Sequence, residues 1–119
     1  MKNVDIRVYN IGKTSDNREE IKRWLASVGA TQYEHPTSLS GSESISGLAA
    51  KRCYMSFEPG LNPNVTKVRK NWHDYFENIL RSGHGSTIEH ATYTFAIEGV
   101  SRVFTGEMNR HRAGVAVSE

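Results

Sequence analysis

The sequence predicts a helix-rich mixed fold, α/β or α+β, built as one compact domain over residues 1–119. Three observations predict it. Val4–Tyr9 and Thr92–Glu98 alternate apolar and polar residues with the period of a strand. Four other segments carry apolar residues at helical spacing. At 119 residues the chain has room for one domain and not for two of ordinary size.

Each element follows in order. Val4–Tyr9 reads as a half-buried strand. Ser15 or Asp16 is placed to cap a helix whose Ile21, Trp24, Leu25 and Val28 share one face, with Gly29 as its stop. Residues 34–42 are rich in turn formers. A short helix follows, with Ile45, Leu48, Ala49 and Arg52-Cys53 in register. After a second loop, Glu58–Pro63, the clearest helix runs from about Asn64 to Ser82, capped by Asn64 and stopped by Gly83. Its stripe of Val65, Val68, Trp72, Tyr75, Phe76, Ile79 and Leu80 is one-sided and reads as core. Thr92–Glu98 is the second strand, and a last helix from about Ser101 to Arg112 turns Val103, Phe104 and Met108 inward.

Composition narrows the function classes. A hydrophobic fraction of 37% with four Phe, five Tyr and two Trp can supply a core, and 24% charged residues do not indicate disorder. The net charge of +2 is far from the footprint of a duplex-binding protein and suits a small anionic ligand. Cys53 is the one cysteine, so an intrachain disulfide and a cysteine-rich zinc site are excluded. It reads as a packing cysteine rather than a nucleophile. The chain shows no apolar run near 18 residues and no signal-peptide pattern, and reads as a soluble, cytoplasmic chain without membrane or nucleic-acid partners. It stops at Ser118–Glu119 without a finished element, which reads as an incomplete chain.

Two clusters carry chemistry. Gly83–His90 puts two glycines, two hydroxyls, an acid and two imidazoles within eight residues. Glycines and hydroxyls can offer donors to a phosphate. The helical zinc motifs space two His four apart, whereas His84 and His90 are six apart, so no metal is assigned. The plain alternative is a turn capped by Ser86 or Thr87, with Glu89 reciprocating and His90 packed on a neighbour. The second cluster, Arg110-His111-Arg112 with Arg102 before it, offers guanidinium forks that match phosphate oxygens and the carbonyl edges of flat rings. Its plain alternative is a solvated basic helix end. The small and apolar Ala113–Val117 that follow argue for a covered backbone.

Taken together, the clusters resemble the flavin-dependent thymidylate synthase (ThyX) family. That family carries His, then Ser or Thr two residues on, then Glu-His, an alternating strand, Ser-Arg and finally Arg-His-Arg. Here the matching residues are His84, Ser86, Glu89-His90, Tyr93–Ile97, Ser101-Arg102 and Arg110-His111-Arg112, with Ala49–Tyr54 similar to the family's first helix. The resemblance covers about residues 45–119.

The resemblance implies a central sheet flanked by helices, incomplete at the C-terminus. It implies reductive methylation of dUMP to dTMP, with methylenetetrahydrofolate as carbon donor and FAD, reduced by NADPH, as hydride donor. His84, Ser86, Glu89, Arg110, His111 and Arg112 would bind FAD. Arg110 would also act on dUMP as the catalytic group, beside Glu107 and Glu119. Glu107 stands where the family has Gln, and an acid is a poorer partner for an anionic nucleotide. Val117 and Ser118 stand where the family has Asn-Glu, and a one-residue shift makes Glu119 the equivalent acid. The family's homotetramer with FAD at subunit interfaces is implied as well. The competing reading is a non-catalytic nucleotide- or single-strand-binding module using the same Arg and His residues, with Trp72, Tyr75 and Phe76 as a stacking surface.

Overall fold

A computed structural model describes residues 4–118. The elements are β1 (Arg7–Lys13), α1 (Arg18–Ser27), α2 (Gly41–Tyr54), α3 (Trp72–Arg81), a 3-10 segment (Gly85–His90), β2 (Tyr93–Glu98) and α4 (Arg102–Met108). Helices with one small antiparallel sheet of order β1-β2 make this an α+β chain, as expected. The described residues form two compact units, Lys13–Tyr93 and residues 4–12 with 94–118.

The larger unit holds the buried core. Ile21, Leu25, Ala30, Leu48 and Phe57 form one cluster, with Trp24, Val28 and Tyr33 packed against it. Ala50, Tyr75 and Ile79 form a second, flanked by Trp72 and Phe76. Tyr75 on the aromatic face of α3 is therefore core, with Trp72 and Phe76 partly buried against it. α2 can lie against Trp72 because it carries Gly47, where a Cβ would collide with the indole ring.

Helix starts are set by side chains that accept orphan amides. Asn17 caps α1 by accepting from the Glu20 amide at 3.3 Å. Neither Ser15 nor Asp16 takes that role. Asp16 instead accepts the Ser44 hydroxyl at 2.5 Å and pairs with Arg18 at 3.0 Å. Those contacts, the Ser44 bond first, hold its carboxyl below the usual carboxylate range. Ser44, fully buried, also bonds His35 Nε2 at 2.7 Å. α2 opens on a capping box, with the Ser40 amide donating to Glu43 at 2.8 Å and the Glu43 amide to Ser40 Oγ at 3.3 Å.

The helix expected from Asn64 begins only at Trp72. Pro63 and an Asn62 side chain that accepts the Asn64 amide at 2.9 Å hold the preceding chain in a turn. Val65, Thr66 and Val68 are β-branched and resist helix. Asn71 then accepts from the His73 and Asp74 amides at 2.9 and 3.3 Å and starts the helix there.

In the smaller unit, β1 begins three residues later than the alternation placed it, because pairing with β2 sets the register. Arg7 and Glu98 face each other across it at 3.3 Å. Val8 is 59% exposed, so the expected half-burial is not found. α4 is short: Gly106 weakens it and the chain leaves helix after Met108. Val103 is 76% exposed rather than turned inward.

Candidate functional site

The site grows from the end of α2. After Tyr54 the chain turns through Met55 in left-handed geometry, φ 49°. Asn62 closes that end by donating to the Tyr54 carbonyl at 2.8 Å. The turn brings Lys51, Cys53, Tyr54 and Ser56 to one wall of a cleft of about 460 Å3 within the larger unit. The irregular 64–69 stretch supplies Lys67 and Arg69, and α3 supplies Tyr75 and Asn78. The remaining wall comes from the turn after α3, where Gly83 takes φ 73° and lets the His84 amide donate back to Ile79 at 3.2 Å. His84, Ser86 and Thr87 line the cleft there.

Tyr54 and His84 join two of these walls. The phenol oxygen and His84 Nε2 are 3.0 Å apart and the rings meet edge-on at 5.7 Å. Thr87, buried, donates to the His84 carbonyl at 3.0 Å and fixes the turn from beneath.

Lys51 is the least ordinary group. It is 2% exposed. Its Nζ lies 4.4 Å from the Tyr75 ring centroid, 5.5 Å from Trp72 and 5.7 Å from Tyr33, and it donates to the Ser56 carbonyl at 3.2 Å. Burial pushes its ammonium down to about 8. Burial likewise pushes the Tyr75 phenol up to about 12 and raises Tyr33. Among the described lining residues none is acidic, while Lys51, Lys67, Arg69, His84 and several hydroxyls are present. Such a donor set takes anions.

The structure thus brings His84 and Ser86 into one cleft with residues that sequence reasoning did not single out. Lys51, Tyr54, Ser56 and Arg69 were missed because an apolar stripe gives no hint of a buried cation, and 64–69 was read as helix. Cys53 is exposed and lines the cleft, not packed in the core, since it falls on the outer face of α2. Glu89 lies in the 3-10 segment, exposed and outside the cleft lining, and His90 is exposed too.

Arg110, His111 and Arg112 belong to the smaller unit, past the end of α4 rather than on it. All three are exposed, as are residues 113–116 of the Ala113–Val117 run that was expected to be covered, while Val117 is half-buried. The Arg110 guanidinium pairs with Glu107 at 2.9 Å. Glu119 lies outside the described residues. Among the described residues, His73, Asp74 and Glu77 on α3 form a group whose ligand atoms fall within 4.8 Å of one another. All three are exposed, and Glu77 is already engaged by Arg81. No helix among the described residues is long and apolar enough to cross a membrane.

Comparison with known proteins adds the family. Residues 36–119 match the model for the thymidylate synthase complementing protein. A flavin-dependent thymidylate synthase of Mycobacteroides abscessus is 34% identical over 109 residues, 92% of this chain and 37% of that protein. A probable flavin-dependent thymidylate synthase of Mycobacterium phage D29 is 39% identical over 75 residues, 63% of this chain and 29% of that protein. One from Nitratidesulfovibrio vulgaris is 58% identical over 38 residues, 32% of this chain and 16% of that protein. The chain spans between 16% and 38% of the length of the curated relatives it matches.

Proposed function

This chain belongs to the thymidylate synthase complementing protein family, and from that premise we infer that it carries part of a flavin-dependent thymidylate synthase. The reaction is the reductive methylation of dUMP to dTMP. FAD supplies the hydride when bound and reduced by NADPH, and methylenetetrahydrofolate supplies the carbon. The single observation that carries the reading is the acid-free cleft where His84 and Ser86, two residues of the family pattern, stand among Lys51, Lys67 and Arg69. Its cations and hydroxyls fit an anionic dinucleotide by the chemistry of the donor set.

His84 and Ser86 would hold FAD from this cleft; Glu89, Arg110, His111 and Arg112 are the further cofactor contacts that the family pattern implies. Arg110 also serves dUMP, stabilising negative charge on the ring, which needs no enzyme nucleophile. Glu107 acts through Arg110: the 2.9 Å pair lets the carboxylate orient the guanidinium instead of meeting an anionic nucleotide itself. Glu119 remains a candidate dUMP ligand. The site is completed by residues beyond those matched here and by neighbouring subunits of a homotetramer.

Tritium release from 5-tritiated dUMP, with FAD, NADPH and methylenetetrahydrofolate present, tests the reading. A chain extended to the length of its relatives is expected to release tritium, and the 119-residue chain to do so far more slowly. Absence of release from the extended, flavin-loaded chain overturns the function. Equal rates would show that these residues already complete the dUMP site.

A further inference from the structure

An ammonium taken out of water needs a counter-charge or a dense set of acceptors. Lys51 is 2% exposed, yet no carboxylate pairs with it among the described residues. One of its three donors goes to the Ser56 carbonyl, and the rest of its surroundings is the faces of Tyr75, Trp72 and Tyr33. Ring faces attract a cation without cancelling its charge.

The titratable and charged groups near it come from every element packed on it. Its own helix gives Cys53 and Tyr54, α3 gives Tyr75, the loop after α1 gives Tyr33 and His35, and the 64–69 stretch gives Arg69. None is an acid. His35 is held below its ordinary value, by burial first, then by Arg18, with Lys51 adding to it and Asp16 opposing. Among the described residues no acidic group neutralises the cation, and Lys51 is one of the residues that line an open cleft.

We propose that Lys51 is the buried counter-charge of this cleft, an uncompensated cation that an anionic ligand completes; under the function inferred above, that anion is the diphosphate of the flavin. The ring cage keeps the ammonium in place and its bond to Ser56 fixes the turn that carries Cys53 and Tyr54 to the same wall. The charge is thus in position before the ligand arrives.

One group then imposes two opposite pH dependences. Burial lowers the Lys51 ammonium from 10.5 to about 8, so the unfolded chain holds more protons between those values. Folding stability from this group is complete above 10.5 and is lost as pH falls through about 8. Anion binding runs the other way: it needs the protonated amine and weakens as pH rises past about 8. A lysine with a purely structural role produces the first dependence and not the second.

The test is an equilibrium titration of the chain with FAD, and separately with ADP-ribose, at pH 7, 8 and 9. ADP-ribose shares the adenosine diphosphate of FAD and lacks the isoalloxazine, and its diphosphate diester stays ionised throughout. The wild-type chain is expected to bind both about tenfold more weakly at pH 9 than at pH 7, as for one titrating group. Lys51→Arg should bind with little pH dependence, because a guanidinium keeps its charge. Lys51→Met should bind weakly at pH 7 and flatly thereafter. Should Lys51→Met fail to fold by circular dichroism, the arginine variant decides alone. A fall in Lys51→Arg equal to that of the wild type overturns the proposal, as does unchanged binding by a folded Lys51→Met. Binding of both probes without pH dependence sinks the proposal and leaves the flavin reading standing. Binding of ADP-ribose with the Lys51-dependent profile, but none of FAD, sinks the flavin reading and supports the proposal.

Discussion

The two units of this chain carry the two halves of the family pattern under opposite conditions. In Lys13–Tyr93 the relevant side chains stand on packed helices: Lys51 is caged by rings, Thr87 is buried beneath His84, and Tyr54 braces the imidazole. In the smaller unit the Arg-His-Arg run follows a seven-residue helix with no buried residue, beside strands exposed on both faces. The first half is positioned by its own core. The second shows a Ser101 cap and a pair between Arg110 and Glu107 three residues apart, and such an exposed pair contributes little stability. A motif written continuously along a sequence can therefore be part pre-built and part dependent on what covers it.

The sharpest way to break this comparison is a core deletion in the larger unit. Leu25 is 4% exposed within the main cluster. Leu25→Ala should cost about 2–5 kcal/mol in chemical denaturation, as for other buried leucines. A loss below about 1 kcal/mol would mean that this cluster is not the core described.

Binding effects come next. Arg110→Ala and His111→Ala should each weaken FAD binding about ten- to a hundredfold at unchanged helix content, the range for losing a charge-assisted contact. Unaltered affinity in both variants would remove the smaller unit from the cofactor site. A cap gives a smaller effect: Asn71→Ala should destabilise by about 1 kcal/mol, since it strips the acceptor for two amides at the start of α3. Smallest of all, Val103→Ser on the exposed face of α4 should change stability by less than about 0.5 kcal/mol. A large loss there would show that this face is packed in solution and that the contrast between the units is overstated.

Much of the larger unit was legible because periodicity and core coincide in it. Ile21 and Leu25 are buried as their spacing required, and Gly29 and Gly83 end helices where expected. The helix start before Trp72 was misread because Val65 and Val68 extend the apolar spacing backwards, while β-branching and the Asn62 turn override it. Asp16 was misread because a capping residue and an ion-pair residue look alike until Ser44 and Arg18 are seen beside it. In the smaller unit, alternation in Val4–Tyr9 located a strand approximately but could not report that neither of its faces is covered. Of the site, His84 and Ser86 were readable as a motif, whereas Lys51 was not. Nothing in Ala49-Ala50-Lys51-Arg52 distinguishes a caged ammonium from a solvated one, because the cage comes from Tyr33, Trp72 and Tyr75, which are distant in sequence.

The most direct test of the account is an FAD titration of the chain followed by visible absorbance after gel filtration. Its central claim is that the acid-free cleft beside α2 is already formed and takes the cofactor. The account predicts that the chain retains flavin, and that Tyr54→Phe or Ser86→Ala lowers the retained fraction while circular dichroism stays unchanged. A folded chain that emerges colourless at saturating FAD would contradict it.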